Sequence, residues 1–272
     1  MKKIAYLFLL ILTGCSADEP TVGPMPVIEG WIDSDGHPNV LFTTAITPGS
    51  DGGELADALV RWGRVTISDG ETEAVMTGIR DNNYFPPYRY YTTDLIGQPG
   101  KTYHVTASFK GMNAQATSTM PEPTPIDSIT FLPTESEHLK SAVLHFTAPQ
   151  SVPAYYYLTI FPAKGAAVGL PCLMGWKECT VAGEAVAVAI LNSKQTAVGE
   201  DFEAQLRVGG HYVVQLHRVE KPVFDFWRAY DDALMFGNNL LFGGASDLPS
   251  NVSGGFGIFG ARGTSARAFS VR

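Results

Sequence analysis

The chain is 272 residues long, 45% hydrophobic and 17% charged, with 19 Lys+Arg against 27 Asp+Glu and a formal net charge of −8. That length gives room for one large or two ordinary domains, and an aromatic content of 11% excludes a disordered tail as its general character. The acidic balance, with no run of Lys or Arg in the body of the chain, excludes nucleic acid as a natural partner, because phosphate binding needs clustered positive charge.

Residues 1–14 read as a lipoprotein signal peptide. Lys2 and Lys3 supply a positive start, Ile4 to Leu12 is an apolar run, and Leu12-Thr13-Gly14-Cys15 closes it with small residues before a cysteine. The run is about half of the roughly 20 residues a membrane-spanning helix needs, so the expectation is cleavage before Cys15 and acylation of that cysteine. Each buried methylene contributes about 0.8 kcal/mol, and stable anchoring takes more than one acyl chain. Losing Lys2 and Lys3 widens the acidic excess from eight to ten. Residues 15–26, with Pro20, Gly23, Pro24 and Pro26, read as an extended tether.

From Val27 the pattern has period two. Residues 27–33 and 40–46 flank the turn Ser34-Asp35-Gly36-His37-Pro38 as a hairpin. Strand-like runs follow at 60–68, 73–77, 88–93, 102–109 and 114–119, separated by Asp69-Gly70, Gln98-Pro99-Gly100 and Lys110-Gly111. This spacing predicts an N-terminal β-sandwich over 27–120. Residues 121–126, where Pro121, Pro123 and Pro125 alternate, read as a linker that no central strand could accommodate.

The remainder, 127–272, reads as a second sandwich-like domain. Strands are expected near 126–131, 142–147, 155–161 and 211–219; 185–191 fits a strand or a short buried helix. After Pro222 the period becomes 3.6, with Val223, Phe226, Trp227, Tyr230 and Leu234 along one stripe, so a helix is predicted there. Residues 162–182 and 238–260 read as irregular, and a last strand is expected at 266–271. The fold class is therefore mainly β: two tandem immunoglobulin- or fibronectin-like sandwiches, the second with one short helix and an irregular Gly-rich ending.

Cys172 and Cys179, six residues apart, are a candidate local disulfide in an extracytoplasmic protein; zinc ligation and free thiols are the alternatives. The six histidines are scattered, so no metal site is assigned. Gly97-Gln98-Pro99-Gly100-Lys101-Thr102 lacks the spacing of a phosphate loop and reads as a hairpin turn. No nucleophile elbow, Ser-x-x-Lys or zinc-protease motif occurs, so no catalytic residue and no cofactor are assigned. Asp225, Asp231 and Asp232 read as the solvated face of the helix, and its aromatic stripe as core. The cluster Tyr84-Phe85-Pro86-Pro87-Tyr88 falls in a turn-rich interval, which makes Tyr84, Phe85 and Tyr88 candidate partner-docking residues. The Gly-rich run at 251–260 is expected to cover the second domain's core as close-packed backbone.

Several stretches together carry a resemblance: Val27-Ile28-Glu29-Gly30-Trp31-Ile32, Val65-Thr66-Ile67-Ser68-Asp69-Gly70, residues 95–103, Thr119-Met120-Pro121 through Ile126-Asp127-Ser128, and above all Asn251-Val252-Ser253-Gly254-Gly255-Phe256-Gly257-Ile258-Phe259-Gly260. The chain resembles, over nearly all of its mature length, an uncharacterised family of Bacteroidota outer-membrane lipoproteins, a domain of unknown function. That family is commonly encoded beside a TonB-dependent receptor with a carboxypeptidase-regulatory-like extension. Ser16-Ala17-Asp18-Glu19 is similar to the signal that sends such lipoproteins to the outer face of the outer membrane, and Asp127-Ser128-Ile129 to their O-glycosylation acceptor, with Ser128 the candidate residue. The resemblance implies a surface-exposed, lipid-anchored, non-catalytic accessory subunit of a TonB-dependent nutrient transporter. The alternatives are a cell-surface adhesin or structural module, and, further off, a surface hydrolase.

Overall fold

A computed structural model describes residues 25–44, 58–84, 87–164, 169–193, 203–236 and 248–272. The signal peptide, Cys15, the tether up to 24 and Phe85 lie outside the described residues.

The protein is mainly β. The first half contains β1 (Pro26–Asp33), β2 (Asn39–Thr44), β3 (Arg64–Ser68), β4 (Glu73–Ile79), β5 (Arg89–Tyr91), β6 (Thr102–Phe109) and β7 (Met112–Thr119). Their alternating apolar residues turn to one side: Tyr103, Val105 and Ala107 of β6 are buried while His104 and Thr106 are exposed. Lys110 and Gly111, at φ 47° and 84°, form the two-residue turn between β6 and β7, a conformation that fits the twist of the strands it joins.

After the linker come β8 (Ser128–Pro133), β9 (Leu139–Thr147), β10 (Ala154–Pro162), β11 (Leu170–Cys179), β12 (Ala185–Ile190), β13 (Leu206–Arg207) and β14 (His211–Val219). Helix α1 (Lys221–Phe236) follows, then β15 (Val252–Ser253) and the fifteen-residue β16 (Phe256–Ser270). Pro222 occupies the first turn of α1, where no amide donor is needed. The helix has no acid in its first turn and no base in its last, so packing on the sheet and not dipole compensation stabilises it.

Twelve strands form one ladder in the order β11-β10-β14-β16-β1-β2-β5-β4-β3-β6-β7-β15, and β8, β9, β12 and β13 form a second sheet. In the second half the two sheets face each other across Leu144, Phe146, Val186, Ile190, Tyr156, Leu158, Val214 and Leu216. In the first half the layers belong to the one ladder, which curls around Ile28, Phe42, Ile67, Tyr90, Tyr103 and Val105; the Ala261 amide of β16 donates to Ser118 Oγ of β7 at 3.0 Å. A third core lies under α1, formed by Tyr157, Val219, Val223, Phe224, Phe226 and Ile258.

Two stretches expected to be irregular are strands. β11 occupies much of 162–182 despite Pro171 and Gly175, with a register shift opposite Tyr157 to Thr159 that absorbs the extra residues. β16 begins ten residues before the expected last strand. Its glycines mark close backbone approach and not a loop: a Cβ on Gly257 (φ 110°) would lie 1.9 Å from the Ile28 carbonyl oxygen, and one on Gly263 would lie 2.2 Å from that of Pro121. The Gly-rich run was expected on the second core, yet Val252, Phe259 and Ala261 are in the first. β16 runs parallel to β1 from Val27↔Phe256 to Asp33↔Arg262, then antiparallel to β14 from Gly263↔Arg218 to Ser270↔His211. One strand thus contributes to both halves.

Candidate functional site

The most concentrated polar chemistry lies where β16 passes between β1 and β14. Register places Asp33 of β1, Arg262 and Thr264 of β16, His217 of β14 and Tyr157 of β10 on the same face of the ladder, beside α1. Arg262 grips Asp33 in a fork, Nε to Oδ1 at 2.7 Å and Nη2 to Oδ2 at 2.6 Å, and its Nη1 donates to the Tyr157 hydroxyl at 2.9 Å. The guanidinium also lies 4.9 Å from the centre of the Trp31 ring. Burial works against the Arg262 charge, but the Asp33 carboxylate outweighs it, so Arg262 holds its proton more firmly than usual. Burial likewise raises Asp33, and Arg262 overcomes it, leaving that carboxyl below its ordinary range.

His217 is fully buried between two hydroxyls, with Nδ1 2.8 Å from Thr264 Oγ1 and Nε2 2.9 Å from Thr159 Oγ1. Thr264 Oγ1 donates to Asp33 Oδ1 at 2.7 Å, so it accepts from Nδ1–H, while the Thr159 hydroxyl beside Nε2 donates to Gln215 Oε1 at 2.9 Å. Burial, with Arg262 nearby, pushes the imidazole down to about 3. It is neutral, and its 3.6 Å approach to Asp33 is not an ion pair. No buried side-chain polar atom of this cluster lacks a partner and its two charges face each other, so its chemistry is that of a clasp between halves, not of a free acid or base.

Around the clasp is a half-exposed aromatic and charged surface. Tyr84 packs 6.3 Å from Trp31, and the Arg89 guanidinium sits 5.0 Å from the Tyr84 ring while pairing with Asp81 at 3.0 Å. The Glu29 carboxyl, two residues before Trp31, makes no hydrogen bond or ion pair among the described residues, and burial raises it above the usual range. Tyr157 stacks on Trp227 of α1 at 5.6 Å. The cleft between β11 and α1, lined by Tyr157, Cys172, Trp176, Trp227, Tyr230 and Asp231, holds only about 20 Å³, room for roughly one water. A wider depression of about 360 Å³ lies on the outer face of β6, β7 and β15, lined by His104, Thr106, Gln115, Thr117, Asn251 and Ser253.

The other expected residues are placed as follows. Tyr84 and Tyr88 are both half-buried; Tyr88 packs on the first core and its hydroxyl donates to the Arg61 carbonyl at 2.8 Å. Trp62, not singled out from the sequence, is 88% exposed beside them. It was hidden inside a run read as strand from residue 60, whereas β3 begins only at Arg64. Ser128 starts β8 opposite His145, half-buried next to an exposed Asp127.

Cys172 and Cys179 are both buried and free, which corrects the disulfide expectation. Cys179 pairs with Ala154 while Pro171, next to Cys172, pairs with Thr159. The two cysteines are therefore separated by roughly four residues of strand, about 13 Å, and a disulfide needs Cα atoms within about 7 Å. Burial pushes the Cys172 thiol up, away from reactivity. No group of three or more His, Cys, Asp or Glu suited to a metal occurs among the described residues. Asp231 is not part of a solvated face: its Oδ2 accepts from the Met174 amide at 2.8 Å and from Trp176 Nε1 at 3.2 Å, tying α1 to the edge of β11.

A curled sheet, a sandwich and a shared final strand define a mainly-β protein built around an internal clasp. The family model described as "Domain of unknown function (DUF4249)" matches residues 15–267, and the chain belongs to that family. No curated protein matches the sequence. A solved structure titled "Cytokine receptor complex - Crystal form 1A" is similar over 72% of this chain and 85% of that one, at 10% identity and a TM-score of 0.25, too low to carry an argument.

Proposed function

We propose that the protein is a surface-exposed, lipid-anchored binding subunit that accompanies a TonB-dependent outer-membrane receptor. The observation that carries the anchoring is the sequence Leu12-Thr13-Gly14-Cys15 behind a short apolar run, followed only eleven residues later by the first residue of β1. Whatever their conformation, those residues cannot reach further than about 40 Å, so an acylated Cys15 keeps the folded body against its membrane. The acidic Asp18 and Glu19 support the outward-facing assignment, and the resemblance carried by residues 27–32 and 251–260 supports the receptor as partner.

Binding in place of turnover is supported by the clasp, whose ionisable groups neutralise one another, leaving surrounding aromatic and polar surface for contact. Palmitate labelling and protease treatment of intact cells test the anchoring. The wild type should be labelled and cleaved at the surface, and Cys15→Ala unlabelled and released from the membrane. An unlabelled wild type, or one shielded from protease until cells are broken, contradicts it.

A further inference from the structure

The pairings fix which ends of the first-half strands lie together. β1, β3, β5 and β7 start at the end where β2, β4 and β6 finish. Close contacts join this end into a ring. A Cβ on Gly255 would lie 2.3 Å from the Pro26 carbonyl oxygen, one on Gly254 would lie 2.4 Å from that of Asn113, and Arg64 is paired with Ser108 just before the Lys110–Gly111 turn. The Val60 amide donates to the Phe42 carbonyl at 3.2 Å, which sets the following Arg61 and Trp62 on the same ring.

Pro26, the first residue of β1, lies at this end, eleven residues along the chain from Cys15. The same end presents Trp62 at 88% exposure with Arg61, Arg64 and Lys110, all exposed and none in an ion pair among the described residues. The intervening residues 45–57, which include Asp51, Glu54 and Asp57, lie outside the described residues. The opposite end is acidic. Asp35, Asp69, Glu71 and Asp94 lie there, with Lys101 held by Asp69 at 2.7 Å and Glu71 at 3.1 Å. Among the described residues, this first end therefore holds three basic side chains outside any ion pair together with the most exposed aromatic, in a chain whose net charge is −8.

We infer that this end is a membrane-contact face, on which Trp62 enters the headgroup region while Arg61, Arg64 and Lys110 lie against lipid phosphates. Three properties favour a lipid surface. The indole ring, apolar in body and with one donor, suits the interface between headgroups and acyl chains. Basic side chains gain attraction at an anionic leaflet within a Debye length of it. The tether is too short to let this end travel far from the surface that holds it. The inference rests on Cys15 being the anchoring residue, and it gives the lipoprotein a fixed orientation, with the sandwich half carried outward by β16.

The test uses the mature chain made without acylation as Cys15→Ser, mixed with vesicles of phosphatidylethanolamine and phosphatidylglycerol or of phosphatidylcholine alone. The expected result is salt-sensitive binding to the anionic vesicles with a blue shift in tryptophan emission, a shift lost in Trp62→Phe. Arg64→Ala and Lys110→Ala each weaken binding about fivefold, while Lys101→Ala, at the opposite end, leaves it unchanged. Far-ultraviolet circular dichroism identical to the parent confirms that each variant is folded. Equal binding to both vesicle types, no binding, or indifference to Arg64→Ala and Lys110→Ala overturns the inference. If Trp62→Ala reduces recovery of a receptor from cells but not vesicle binding, the face docks a protein and the membrane assignment falls. Failure of the anchoring itself is seen separately, as absent palmitate on wild-type Cys15.

Discussion

Arg262 and Asp33 lie 229 residues apart in sequence and meet in a forked pair, one partner only 7% exposed. Removing one member of such a pair strands the other charge, so Arg262→Leu is expected to cost about 3–5 kcal/mol in urea unfolding. The double variant Asp33→Leu/Arg262→Leu should cost less than the sum of the singles, because it leaves no orphan. His217 contributes a pH dependence of known sign. Its folded pKa of about 3 lies below the unfolded value, so its stabilisation is complete above about pH 6.5 and is lost as pH falls toward 3. The slope in that window should reach about 1.4 kcal/mol per pH unit and flatten in His217→Gln. Glu29 has the opposite sign: its carboxyl is raised by burial, so ionising it costs stability as pH rises through its folded pKa. Glu29→Gln should raise the unfolding midpoint at neutral pH and not at pH values where the carboxyl is already protonated. None of this was legible in the sequence. Asp33 reads as the end of the first strand and Arg262 falls between the glycine-rich return and the expected last strand, and their pairing depends on a parallel register that no local pattern encodes.

At the scale of elements, the strands that read clearly are those with one face buried and one exposed, such as β4, β6 and β7, because period two is visible only where the two faces differ. The helix was legible for the same reason, from Val223, Phe226, Trp227 and Tyr230. β11 and the first part of β16 were not, since Pro171, Gly175, Gly257, Gly260 and Gly263 look like loop residues to any local pattern. In β16 the glycines exist to let neighbouring backbones and Val223 approach. Gly257→Val is accordingly expected to cost on the order of 4 kcal/mol, well beyond an ordinary strand substitution. The shared strand also has a thermodynamic consequence. Because β16 supplies Phe259 and Ala261 to one core and pairs with β14 in the other, the halves should unfold together. Emission from Trp31 in the first half and from Trp176 and Trp227 in the second, isolated by single Trp→Phe changes, should give coincident urea transitions. Two separated transitions would mean that the proline linker at 121–126, and not β16, governs coupling.

At the scale of the molecule, the chain has a direction. β1 starts at the end that carries Trp62, the first core lies above that end, the clasp sits at the passage between halves, and the sandwich lies beyond. The sequence carried the two ends of this arrangement, the cysteine at the close of the apolar run and the glycine-rich segment that marks the family, but not the strand that connects them. A lipid-anchored body of this kind presents its aromatic and polar surfaces to whatever shares its membrane, and the central claim is that this neighbour is a TonB-dependent receptor. Affinity purification of the tagged, acylated chain from membranes in mild detergent tests that claim most directly. A TonB-dependent receptor should be recovered in amounts comparable to the protein itself, and lost when Cys15→Ala releases the chain from the membrane. Recovery of palmitoylated protein with no receptor, under conditions that keep other outer-membrane assemblies intact, would contradict it.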